Sequence, residues 1–122
     1  MNENELAGLL ESLKRMGSDD LSVEVKESAM TLSRDVWETV SAFANTAGGI
    51  IVLGVSERAG FVPVANFETE KVLNQFVAGM GDAGGRGKLA NPPKYTIERV
   101  ELQGTVVLVI TIEELDPVSY TH

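Results

Sequence analysis

The chain has 122 residues, 43% of them apolar and 23% charged, the composition of one ordinary globular domain able to bury roughly 65% of its unfolded surface in a single core. It has no cysteine, and its one histidine, His122, is the last residue, which excludes disulfides and thiolate metal sites and argues against zinc. A net charge of −8 favours solubility and opposes a chain-wide electrostatic grip on phosphate backbones.

The first residues, MNENELAGLLESLKRM, have neither the basic start nor the continuous apolar centre of a signal peptide. No apolar run approaches the ~20 residues of a membrane span. A cytoplasmic location without membrane contact is expected. Leu6, Leu9, Leu10, Leu13 and Met16 recur at helical spacing, with Asn2 or Asn4 available as a cap and Gly17 as a stop, so residues 1–17 read as an amphipathic helix. Leu21, Val23 and Val25 then alternate with Ser22, Glu24 and Lys26, the pattern of a strand with one apolar and one polar face.

A second helix follows, with Ser33 as its expected cap and Val36, Trp37, Val40, Phe43 and Ala44 as its apolar stripe. Asn45 to Gly49 tolerate the left-handed backbone that ends it. Ile50 to Val55 is a β-branched run suited to a strand covered on both faces. Ser56 to Gly60 turn the chain into a short strand, Phe61 to Val64, which forms a hairpin with it.

Phe67, Val72, Phe76, Val77 and Met80 fit a third helix. Gly79 to Pro93 is rich in glycine and proline, and Gly81 to Asn91 is expected to be poorly ordered without a partner. Two strands close the sequence, Tyr95 to Leu102 and Thr105 to Ile112, joined at Gln103-Gly104. No repeat or linker divides the chain. The expected fold class is α+β, one domain over residues 1–122 with a mixed β-sheet packed with about three helices. Trp37, Phe43, Ile51, Leu53, Val107 and Val109 are its expected core.

Charge is uneven along the chain. Gly79 to Val100 carries Arg86, Lys88, Lys94 and Arg99 against Asp82 and Glu98, so this stretch is positive while the remainder of the chain is strongly negative, and any anion-binding surface is expected to be local. Within it, the loop Gly84-Gly-Arg-Gly-Lys88 combines two cations with glycines that let them adjust to phosphates without demanding a sequence. A solvated surface loop would explain the same residues.

Three segments in order carry a family resemblance: Asp20-Leu-Ser-Val-Glu-Val-Lys26, Val40-Ser-Ala-Phe-Ala-Asn-Thr-Ala-Gly-Gly49 and Ile50-Ile-Val-Leu-Gly-Val55. They resemble the "LEFK", "AFANTxGG" and "LxIGV" blocks of the Schlafen AlbA-like family, also known as the divergent AAA family. Pro92-Pro93, the Gly104 turn and Asp116-Pro117 fit as well, so the family-like core covers about residues 18–118. The pattern departs from the family at Phe61-Val62-Pro63, where relatives often have glycine. It also ends at His122, before a further strand with a "VRxGS" pattern, so a piece of a longer protein is expected.

The resemblance implies a DNA- or RNA-binding domain, of the kind found in bacterial-type transcriptional regulators beside other domains. Arg86, Lys88, Lys94 and the Gly48-Gly49 turn are the candidate contacts, the glycines because exposed amides can meet a phosphate. Gly48-Gly49 also reads simply as a helix-to-strand joint.

Three alternatives stand beside this. Relatives with nuclease activity use three carboxylates, which match Asp19, Glu24 and Glu57. These would hold Mg²⁺ or Mn²⁺, and Lys26, on the same strand face as Glu24, would steady the developing charge. Aspartate at the first position and glutamate at the third change the reach by a methylene at both. The divergent-AAA name implies ATP binding, yet Gly81-Asp-Ala-Gly-Gly-Arg-Gly-Lys-Leu89 only imitates a phosphate loop, with its first glycine out of register and Leu89 where a magnesium-binding hydroxyl is needed. The third alternative is a scaffold or homodimerisation module. No cofactor is expected outside the nuclease reading, and an enzyme is the less favoured outcome.

Overall fold

The computed structural model describes residues 1–16 and 22–115, and among them three helices and six strands form an α+β fold. Helix α1 (Glu3–Met16) opens the chain. Its cap is reciprocal: the Glu5 amide donates to Asn2 Oδ1 at 2.8 Å and the Asn2 amide donates to Glu5 Oε1 at 3.2 Å, which satisfies two backbone donors that a helix start leaves without partners.

Strand β1 (Val23–Lys26) is followed by α2 (Val36–Ala44), β2 (Gly49–Leu53), β3 (Val55–Ser56), β4 (Val62–Pro63), α3 (Thr69–Gly79), β5 (Tyr95–Leu102) and β6 (Thr105–Ile112). The main sheet has the order β1-β2-β6-β5, with β1 parallel to β2 and the other pairs antiparallel. β3 and β4 form a separate two-stranded ribbon.

Alternation along the strands sends side chains to opposite faces, and each face is covered by different helices. Leu6, Leu10 and Leu13 of α1 pack on one face with Val52, Val100, Leu102, Val107 and Val109. On the other, Val36, Val40 and Phe43 of α2 and Val72 and Phe76 of α3 pack on Ile51, Leu53, Leu108 and Ile110. β2 and β6 lie in the middle of the sheet and are apolar on both faces, as the continuous runs in their sequences require.

Three expectations need correction. The run Ile50 to Val55 is not one strand: Gly54, at φ +99°, breaks it, because a β-carbon there would come within 2.8 Å of the Phe67 ring, and Val55 leaves for the small ribbon. Ser33 does not cap α2 with its side chain. Its hydroxyl lies 3.0 Å from that of Ser28, and Asp35 precedes the helix without a side-chain cap bond.

Phe43, Ile51, Leu53, Val107 and Val109 are buried as expected, and Trp37 packs against the α2–α3 core with part of its ring left uncovered. Trp37 sits at the margin of the α2 stripe, one position beyond Val36, so it packs with part of its ring only. The glycine-rich loop is anchored. The Lys88 amide donates to the Gly79 carbonyl at 2.6 Å, and Leu89 packs against the core.

At the β5–β6 hairpin, Gln103 and Gly104 adopt φ +50° and +84°, the doubly left-handed geometry that matches strand twist in a two-residue turn. No helix among the described residues is long and apolar enough to cross a membrane.

Candidate nucleic-acid interface

The anchored loop carries Arg86 and Lys88 to the C-terminal end of α3, where they meet the segment leading into α2. Arg34, Trp37, Gln75, Gly79, Arg86 and Lys88 border one open recess with a volume of about 390 Å³, near the lower end of the roughly 300–1,000 Å³ of small-ligand clefts. Gly79 is the joint between its two halves. A β-carbon on Gly79 would enter the indole of Trp37, and its carbonyl receives the Lys88 amide. Gly87 is equally constrained, since a β-carbon there would lie 2.9 Å from the Gly79 carbonyl oxygen.

Gln75 fixes the opposite wall. Its Oε1 accepts the Leu32 amide at 2.7 Å and its Nε2 donates to Thr31 Oγ1 at 3.0 Å, which clamps the segment before Arg34 onto α3. Arg34, Arg86 and Lys88 are exposed, and among the described residues none of the three has an ion-pair partner. Asp35, the acid next to Arg34, instead pairs with Lys26 at 3.1 Å. The recess therefore keeps three uncompensated cations in a chain of net charge −8.

The other cations of the basic stretch are elsewhere. Lys94 borders a separate recess with Asp82, Tyr95 and Glu113. Arg99 makes a two-pronged contact with Glu70, Nε to Oε2 at 2.6 Å and Nη2 to Oε1 at 2.8 Å. That hydrogen bonding holds the Glu70 carboxyl below its ordinary range and the Arg99 guanidinium above its own.

The Gly48-Gly49 turn is filled by the protein itself. Gly48, at φ +80°, donates its amide to the Phe43 carbonyl at 2.8 Å and leaves no space for a β-carbon beside the Ile112 carbonyl. A β-carbon at Gly49 would come within 2.6 Å of the Phe43 ring. The hollow outside this turn is bordered by Glu113 and Glu114, an acidic rim that repels phosphate. Close packing accounts for both glycines.

Of the carboxylates, Asp19 lies outside the described residues. Glu24 and Glu57 border one narrow recess with Leu13, Val23, Val25 and Phe61. Among the described residues no group of three or more histidine, cysteine, aspartate or glutamate side chains could hold a metal. Lys26 is mostly buried and lies between two acids, Asp35 at 3.1 Å and Glu24 at 3.7 Å. Residues 81–89 run from α3 towards β5, whereas a phosphate loop joins a strand to a following helix.

The family model for Schlafen, AlbA_2 matches residues 19–122. The chain belongs to the Schlafen AlbA_2 family. The match starts after α1, although Leu6, Leu10 and Leu13 of that helix pack on Val52, Val100, Leu102, Val107 and Val109 of the AlbA_2 sheet. Among solved structures, this AlbA_2 chain is similar to the N-terminal domain of an ATP-dependent DNA helicase RecG-related protein from Nitrosomonas europaea. The two share 27% identity at a TM-score of 0.62, over 94% of this chain and 74% of that one. A Corynebacterium diphtheriae protein is matched at 16% identity and a TM-score of 0.40, over 91% of this chain and 22% of that one. No curated protein matches the sequence.

Arg34, Gln75 and the groove position of Trp37 were not legible as site residues. Arg34 stands alone among polar residues, and only the contact between the α2 approach and the end of α3 joins it to Arg86 and Lys88.

Proposed function

We propose that this AlbA_2 domain binds nucleic acid through the recess formed by Arg34, Arg86, Lys88 and Trp37. The carrying observation is the convergence of three unpaired cations from two distant segments, on a surface otherwise dominated by acids. Cations placed this way neutralise successive phosphates and release their counterions, a contribution that needs no base contact. The DNA helicase relationship named for the Nitrosomonas europaea protein agrees with a nucleic-acid setting. In this reading the domain works in the cytoplasm within a DNA-directed protein such as a transcriptional regulator, joined to other domains.

The test is affinity for short DNA and RNA oligonucleotides, compared between the native chain and a variant carrying Arg34→Ala, Arg86→Ala and Lys88→Ala. Lys94→Ala serves as the control. Loss of binding in the triple variant with little change in the control supports the recess. Equal losses in both would move the contact surface.

A second reading, metal-dependent nuclease activity, is favoured by Glu24 and Glu57 bordering one recess. In this reading Mg²⁺ or Mn²⁺ supports cleavage of a labelled strand, and Glu24→Gln with Glu57→Gln abolishes cleavage while leaving binding intact. Absence of metal-dependent cleavage by the native chain removes it.

A further inference from the structure

Trp37 is the chain's only tryptophan, and it lies at the margin of the core. Its ring stacks on Phe76 with centroids 5.3 Å apart and planes 24° from parallel, and Gly79 closes one edge. The part of the half-buried indole left uncovered borders the recess beside Arg34, Arg86 and Lys88. Packing behind the ring fixes its orientation, so the recess holds part of an anchored aromatic ring next to three cations. The ligand that complements this has a flat ring attached to phosphate.

Resting on the recess as a nucleic-acid site, the geometry points to recognition of an unpaired nucleotide, its base stacked on Trp37 and its flanking phosphates held by Arg34, Arg86 and Lys88. Bases inside a duplex have both faces covered by their neighbours, so only a single strand, a loop or a frayed end can offer a face to the indole. The domain therefore prefers single strands to duplex of the same length. It has little sequence preference, because every base has a π-face.

The chain carries its own probe, since a base stacked on an indole quenches its emission. Trp37 fluorescence is titrated with a single-stranded oligonucleotide, the same sequence as duplex, and a free mononucleotide, alongside binding measured independently with labelled strands. The expected result is saturable quenching by the single strand at a lower concentration than by either other ligand. Trp37→Leu should weaken single-strand binding by roughly tenfold, clearly more than it weakens duplex binding, and Trp37→Phe, which keeps a ring on Phe76, should restore most of the single-strand affinity.

Binding of single strand and duplex alike without a change in Trp37 emission would overturn this inference and leave the recess as a phosphate-binding site. Quenching by the mononucleotide as tight as by the oligonucleotide would overturn it in favour of a small nucleotide pocket. No binding to any of the ligands would overturn both readings.

Discussion

Gly79 lies against the indole of Trp37 with no room for a β-carbon between them. Its carbonyl simultaneously accepts the Lys88 amide at 2.6 Å, so one residue sets both the aromatic and the basic wall of the recess. Gly79→Ala should displace Trp37, because a buried helical position cannot absorb a methyl group without moving its neighbour. Overpacking of this kind costs roughly 1–3 kcal/mol. Denaturant unfolding measures the cost, and a shift in the Trp37 emission maximum reports the displacement. Unchanged stability and emission would mean that α2 and α3 part freely at this contact.

Helix α1 should be integral to the domain although the family match begins beyond it. Leu6 is fully buried against the sheet face that carries Val107 and Val109. Leu6→Ala is expected to destabilise by about 2–5 kcal/mol, as large-to-small changes at enclosed positions do. Chemical denaturation checks this, and a loss below 1 kcal/mol would show that α1 is only loosely docked.

The alternation of apolar residues made most of the fold legible. Leu6, Leu10 and Leu13 at helical spacing, and the unbroken apolar runs of β2 and β6, leave few alternatives to a sheet covered on both faces. What escaped was set by contacts between distant segments. Gly54 looks like any strand glycine until the Phe67 ring is placed against it, and the loop bearing Arg86 looks free until Gly79 and the core supply its anchors. The same limit applies to the recess, where Arg34 and Lys88 acquire meaning only from tertiary proximity.

Tyr95 is a reporter for the β5 end of the sheet. Burial, with the hydrogen bond its hydroxyl donates to Asp82 Oδ2 at 2.7 Å, pushes its phenol up to about 12 from an ordinary value of 10.0. The folded protein holds the phenolic proton more tightly than the unfolded chain does, so this stabilisation is complete below pH 10 and is lost as pH rises through about 12. Ultraviolet phenolate titration should show one late-titrating tyrosine that Tyr95→Phe removes. Asp82→Asn should bring it part of the way down, burial being the larger cause.

The pair Glu70–Arg99 should respond at the opposite end of the pH scale. Arg99 holds the Glu70 carboxyl below its ordinary value of 4.5, so whatever this exposed pair contributes is present above that value and fades as pH falls through the lowered one. Carboxyl NMR titration of Glu70 should show its midpoint rising in Arg99→Gln. An unmoved midpoint would assign the depression to another group.

Salt dependence tests the central claim most directly, because each phosphate held by a cation contributes its own increment to the slope of log affinity against log salt. For a single-stranded oligonucleotide that increment is roughly 0.7 per contact, so replacing Arg34, Arg86 and Lys88 together with alanine should lower the slope by about 2. The measurement is the affinity of the native chain and the triple variant across a range of sodium chloride concentrations, with folding of the variant verified by its Trp37 emission. A slope reduced by that amount is the predicted result. An identical slope in a folded triple variant would contradict the recess as the nucleic-acid site.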